Sequence, residues 1–256
     1  MFALFAPYTL HSQEKEDKKW SDYTDAEKEK LRDRWTKVQA GLVAESLRFG
    51  DNLPNFVKKI QFSEEDNKLL KELGITSFDN RLKNYDLRGI NLENENLSNV
   101  NLNVVNLQGA CLSGANLSGS SMIKADLSGA DLIHTNFKGV NLRSANLENS
   151  YLIDSNLDQA VLTSSSLVDA ELGVASLKSA NLTNATLKGA SLISSDLSDS
   201  NIRSSNLENA DFSGATLNRT DLTLSNLGQA KFENSVLNNA IFNDANLNKT
   251  NFKVRY

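Results

Sequence analysis

The chain holds one cysteine, Cys111, so it can close no internal disulfide and build no cysteine-rich metal centre. A single thiol fits a reducing compartment, and a cytoplasmic location is the expectation. Two histidines, His11 and His134, leave little material for a zinc site or a nucleophile–base–acid triad. No apolar run approaches the 18 or so residues that cross a bilayer. No phosphate-cradling loop, dinucleotide fingerprint or nucleophile elbow is present. Charge of one sign is also missing. The net charge is -5 over 256 residues, with 13 basic and 15 acidic residues in 1–80 and 14 and 17 in 81–256. Without a cluster of Lys and Arg, that balance disfavours direct binding to DNA or RNA. Hydrophobic residues make up 39%, on the low side for a globular enzyme.

The chain begins Met1 to Leu10 with apolar residues but without a basic lead, which suits a docking strand or tail and, as the alternative, a targeting remnant. A charged lead-in runs from there to residue 19. Thr24 and Glu27 then form a capping box, and Leu31, Trp35, Val38, Leu42 and Phe49 recur at helical spacing until Gly50. Ser63 caps a second helix carrying Leu69, Leu70 and Leu73 ahead of Gly74. Residues 20–80 thus read as a small α-helical module. About 55 residues bury little core alone. The expected place of the module is over the first turn of the repeat stretch that begins at Leu82, as a cap.

From Leu82 to Phe252 every fifth residue is large and apolar, 35 positions in succession: 28 Leu, five Phe (Phe137, Phe212, Phe232, Phe242, Phe252), Met122 and Ile202. Neither a helix nor a flat strand keeps residues five apart on one side, so the backbone must turn once per repeat. Two residues before each centre the side chain is small: over Val100 to Thr250 that column holds 16 Ala, 9 Ser, 3 Thr and 3 Val. Residues two apart in an extended segment share a face, so both point inward and the one between points out. Two residues after the centre, 20 of 34 positions are Gly, Asn or Asp, which tolerate a left-handed corner.

Runs such as Ala115-Asn116-Leu117-Ser118-Gly119, Ala125-Asp126-Leu127-Ser128-Gly129 and Ala210-Asp211-Phe212-Ser213-Gly214 resemble the A-(D/N)-L-x-x signature of the pentapeptide-repeat proteins. The resemblance covers residues 81–256. It implies a mainly β chain, a right-handed quadrilateral β-helix with four pentapeptides per coil and just under nine coils, preceded by the α-helical region. At roughly 4.8 Å per coil the rod is about 40 Å long. Tyr85, Ile90 and Glu95 stand where small residues belong, the irregularity expected of a terminal repeat.

The function expected is that of a non-enzymatic protein-interaction scaffold or adaptor with an unidentified protein partner. The outward acids, such as Asp131, Glu171 and Asp211 on one column, read as solvated or turn-bonding side chains, so no catalytic, cofactor or metal-binding set is predicted. The family resemblance supplies an alternative, a DNA-mimicking protein that binds and protects gyrase. The mild acidity and the unbroken register weigh against it. Two surfaces stand out. The residue after the centre is Ile at Ile133, Ile153 and Ile193 on one face, with Tyr151 and Val174 close by, an outward apolarity the fold does not require. The last coil gathers Ile241, Phe242, Phe252, Val254 and Tyr256, and gyrase-binding relatives dimerise through this end, so a homodimer through the C-terminal coil is the second expectation.

Overall fold

The computed structural model describes Thr24 and residues 87–253. The helices expected between residues 20 and 75, their capping role, the apolar lead segment, Tyr85, Val254 and Tyr256 lie outside the described residues. The chain divides into two units, Met1–Asp86 and Leu87–Tyr256.

The second unit is a solenoid. Parallel bridges join residues 20 apart in four columns, from Asn91↔Cys111, Asn96↔Asn116, Asn101↔Ser121 and Asn106↔Asp126 to Lys231↔Asn251. Four pentapeptides therefore complete one coil. The 34 repeats from Leu87 to Phe252 make eight and a half coils. No peptide bond in the described residues is cis.

The five-residue period comes from where each backbone N–H goes. Around Leu127, the centre donates to Asn146 O in the next coil (2.7 Å), and Gly129, two residues on, donates to Glu148 O (2.9 Å). Asp126, just before the centre, donates back to Val105 O (2.9 Å), and Ala130 closes the corner onto Leu127 O (3.0 Å). One N–H per repeat is left over, that of the residue after the centre. The side chain before the centre takes it: Ser128 N donates to Asp126 Oδ1 (3.0 Å), Lys138 N to Asn136 Oδ1 (3.1 Å) and Ser213 N to Asp211 Oδ1 (3.0 Å). This Asx turn recurs along the rod where Asn or Asp holds that place, and it completes the accounting of backbone donors. The same amides stack between coils, Asn136 Nδ2 donating to Asn116 Oδ1 at 3.1 Å and Asn116 Nδ2 to Asn96 Oδ1 at 3.3 Å.

The second residue after each centre is left-handed as expected, whether it is Gly119 (φ 66), Asn149 (φ 56) or His134 (φ 55). β-Branched Val104 and Val174 adopt it too, at φ 62 and 60, against the steric preference of their side chains. The core is a stack of Leu layers with the small column packed beside them, and centres such as Leu127, Leu147 and Leu167 are fully buried. Ile90 is buried like the small residues it replaces, and Glu95 is half-buried. Toward the C-terminus Phe232 stacks between Phe212 and Phe252 at 4.8 and 5.1 Å, and Phe242 meets Phe232 edge-on at 6.2 Å. Most inward hydroxyls return to the backbone, as Ser150 Oγ donates to Leu147 O (2.7 Å) and Thr135 Oγ1 to Leu112 O (2.8 Å), whereas the buried Ser155 and Ser200 hydroxyls have no partner among the described residues. That is why Ser and Thr substitute for Ala on the inner wall at small cost.

Candidate functional site

On the face that stacks Leu132, Leu152, Leu172 and Leu192, the regular exterior gives way to apolar side chains. Ile153 is 38% exposed, Ile193 45%, Tyr151 49% and Val174 59%, whereas Ile133 is half-buried and contributes less than its place in the sequence suggests. The coils beneath are tied in order: Leu132 N donates to Tyr151 O (2.8 Å), Asp154 N to Gly173 O (3.0 Å) and Val174 N to Ile193 O (2.9 Å). The structure thus brings the five residues together over four coils, about 14 Å along the axis at roughly 4.8 Å per coil. Gly173 interrupts the Ile ladder. Its φ is not left-handed, and a Cβ there would meet only Ile193 O at 3.8 Å. Neither backbone conformation nor packing demands glycine, and the result is an open notch between Ile153 and Ile193.

A second departure coincides with the first. Tyr151, Glu171 and Ser191 occupy the place before the centre where Asn or Asp would cap the next N–H but one. The N–H groups of Ile153, Gly173 and Ile193 accordingly have no acceptor among the described residues. The gap is bounded by capped coils, Ile133 N donating to Asp131 Oδ1 (3.1 Å) and Ser213 N to Asp211 Oδ1 (3.0 Å). No other column of the described residues leaves three such donors in succession.

Carboxylates border the patch. Asp131 and Glu171 lie one coil to either side of Tyr151 on the same column. Neither forms an ion pair among the described residues, although Cys111 Sγ sits 4.0 Å from Asp131 Oδ2. Asp154, on the corner, has exposed His134 Nδ1 3.0 Å from its Oδ2. Farther along, Lys231 Nζ lies 3.1 Å from Asp211 Oδ2. Burial pushes the Asp211 carboxyl up, but the hydroxyl and amide of Ser213, and then Lys231, outweigh it and hold the group below its ordinary value.

The other expected surface is exposed in part. Ile241 and Phe252 are open to solvent with Leu247, while Phe242 is half-buried; Val254 and Tyr256 lie outside the described residues. Among the described residues no cluster of His, Cys, Asp and Glu could hold a metal ion, and no helix is long and apolar enough to cross a membrane. Sequence reading found the exposed isoleucines and missed the notch and the uncapped donors. The signal was present as the loss of Asn or Asp before three successive centres of one face, which is visible only once the coil is known to be 20 residues long.

A family profile for pentapeptide repeats matches in 8 copies, over residues 81–119, 110–149, 120–159, 141–177, 155–192, 180–219 and 217–253. No curated protein matches the chain. Among solved structures it is similar to HetL, a pentapeptide-repeat protein involved in heterocyst differentiation regulation from the cyanobacterium Nostoc sp. strain PCC 7120, at 26% identity over 64% of this chain and 87% of that one, with a TM-score of 0.44. It is similar to QnrB1, a plasmid-mediated fluoroquinolone resistance protein, at 16% identity over 62% and 83%, TM-score 0.38. Rfr23, a pentapeptide-repeat protein of the cyanobacterium Cyanothece 51142, matches at 21% over 68% and 98%, TM-score 0.18. With bridges every 20 residues, the five-residue signature and a profile match over more than half its length, the chain belongs to the pentapeptide-repeat family.

Proposed function

We propose that the protein is a non-enzymatic interaction scaffold or adaptor whose Leu132–Leu192 face is a partner contact. One observation carries the reading: exposed Tyr151, Ile153, Val174 and Ile193 sit on the same three coils that forgo three successive N–H caps. A left-handed, β-branched and exposed Val174 adds local strain that Gly or Asn would relieve. Folding gains nothing from any of these choices, and a bound partner gains from all of them. The gyrase-protecting alternative draws no such support. A rod that imitates duplex DNA needs unneutralised acid, whereas coil-to-coil pairs Lys178–Asp196, Lys188–Glu208, Arg203–Asp221, Arg219–Asp199 and Lys231–Asp211 neutralise acids of the C-terminal half. A second copy of the chain meeting at exposed Ile241, Leu247 and Phe252 is a separate proposal, supported by their apolar exposure.

The test is capture of proteins from the native host by the wild type and by an Ile133→Ser, Ile153→Ser, Ile193→Ser variant. The triple variant should keep its fold, because all three side chains lie outside the core, and lose the specifically captured protein. Capture of the same set by both would refute the reading.

A further inference from the structure

The occupant of this face can be specified by chemistry, an inference that rests on reading the face as a partner contact. We propose that it is a basic, proline-rich protein segment in the polyproline II conformation, lying along the rod axis with an aliphatic side chain in the Gly173 notch.

Of the three uncapped N–H groups, those of Ile153 and Ile193 call for acceptors from the partner. A helix offers none along its side, since its carbonyls are already bonded internally. An extended strand offers same-side carbonyls about 6.8 Å apart, at about 3.4 Å per residue, which matches neither one coil at roughly 4.8 Å nor two at roughly 9.6 Å. Polyproline II leaves its carbonyls free and repeats every three residues, about 9.3 Å. That is close to the two-coil distance, and the face repeats at two coils. Ile153 and Ile193 are two coils apart, as are their free N–H groups, with the notch between them. Asp131 and Glu171 are also two coils apart.

Charge selects the side chains. Asp131 and Glu171 carry no cationic partner among the described residues and flank the exposed ring of Tyr151. Arginines three apart on a polyproline helix would reach both carboxylates, and a guanidinium passing from one to the other crosses the Tyr151 ring, where cation–π attraction adds to the pairing. A carboxylate-bearing segment is disfavoured although N–H donors are free, because Asp131, Asp154 and Glu171 surround them. The third residue of the repeat is the aliphatic one. The notch it enters, at Gly173, lies in the coil between exposed Ile153 and Ile193 and next to exposed Val174.

The experiment is fluorescence anisotropy with labelled twelve-residue peptides against the full chain. The probes are four repeats of Arg-Pro-Leu, four repeats of Glu-Pro-Leu, and an Arg, Pro, Leu peptide of the same composition with the three-residue period broken. The first should bind saturably, the third roughly tenfold more weakly and the second not at all. Gly173→Ile fills the notch without straining the backbone, and the pair Asp131→Asn with Glu171→Gln removes the charge. Each should weaken the Arg-Pro-Leu peptide roughly tenfold, with an unchanged melting profile for Gly173→Ile, while Asp244→Asn on another face should leave binding unaltered. Equal binding of the periodic and broken peptides, or full binding by Gly173→Ile, would mean general attraction to an acidic rod and would overturn the proposal. If no peptide binds while the triple Ser variant still loses its host partner, the face is a partner contact and the polyproline occupant is wrong. If the triple variant loses nothing, the face itself is wrong.

Discussion

Restoring the missing caps should stabilise the rod. In the double variant Glu171→Asn, Ser191→Asn each introduced amide stands two residues before an uncapped N–H, those of Gly173 and Ile193. The geometry required is the one already present at Asn136, whose Oδ1 takes Lys138 N at 3.1 Å. An intramolecular hydrogen bond contributes about 0.5–1.5 kcal/mol net, so two caps give roughly 1–3 kcal/mol, and solvent exposure of the face places the gain at the lower end. The two introduced amides lie in successive coils and can stack as Asn116 and Asn136 do at 3.1 Å. Against this stands the lower strand propensity of Asn, a few tenths of a kcal/mol per site. The net gain of about 0.5–1 kcal/mol should raise the melting temperature by roughly 1–4 °C in a chain of this size. Tyr151→Asn is left out because losing an aromatic from a strand position would blur the result. Thermal unfolding followed by circular dichroism measures the gain. Hydrogen exchange at the Gly173 and Ile193 amides, which should slow, assigns it. An unchanged or lower melting temperature together with unchanged exchange would show that the side-chain caps do not stabilise the coil, and the forgone caps would then say nothing about function.

Three further outcomes are expected of the same rod. Leu167→Ala in a fully buried mid-rod layer should cost about 2–5 kcal/mol in urea unfolding, whereas a loss under about 1 kcal/mol would mean the layers collapse around cavities. The Arg219 guanidinium holds the Asp199 carboxyl below its ordinary 3.8; at Asp196, Asp211 and Asp221 burial pushes the carboxyl up, but Ser or Thr hydroxyls and amides and then a Lys or Arg outweigh it. A depressed folded value contributes stability that is fully present above the ordinary value and is lost as pH falls from there through the lower folded value, so melting temperature should hold from pH 7 to 5 and drop below about pH 4, with a shallower drop in Asp199→Asn, Asp211→Asn. Light scattering should give twice the monomer mass for the wild type and one copy for Phe252→Asp, and a wild type that stays monomeric at high micromolar concentration would refute pairing at that end.

The coil was legible in the sequence because one pentapeptide states every structural requirement of its own backbone. Leu fills the axis, Ala fits beside it, and Gly or Asn turns the corner; repetition then fixes the register of Leu127 over Leu107 and under Leu147. The inward column is legible down to its hydroxyl residues, although the bonds most of them make, Ser150 to Leu147 O and Thr135 to Leu112 O, depend on three-dimensional carbonyl positions that no periodicity displays. At the position before the centre the sequence shows outward side chains, solvated or turn-bonding, without naming the donor they accept from. Its preference for Asn and Asp comes from a bond to a neighbouring N–H, and that need is apparent only after the other four N–H groups of the repeat have been assigned. The Ile ladder was therefore seen as apolarity alone.

Departures from the repeat differ in what they say, and two other sites show how to weigh them. Val104 and Leu224 are more exposed than Ile153 and are left-handed at φ 62 and 63. Taken by exposure and strain they would outrank the Ile face. Yet the caps beside them are intact, Asn103 N donating to Asn101 Oδ1 at 3.1 Å and Thr223 N to Asp221 Oδ1 at 2.9 Å, and although Ile123 and exposed Ile241 lie one coil on from them, neither stretch leaves successive N–H groups uncapped. Neither site combines its apolar side chains with a run of vacated caps, and such limited apolar exposure is what soluble proteins carry without consequence. On the Leu132–Leu192 face, exposure, strain at Val174, a glycine that packing does not need and three vacated caps fall on adjacent coils. Val168 and Lys188 also lack caps, but among hydrophilic neighbours, so absence of a cap by itself marks nothing. In a repeat protein the informative departure is the one in which independent requirements are relaxed together, because drift in one column has no reason to track drift in another.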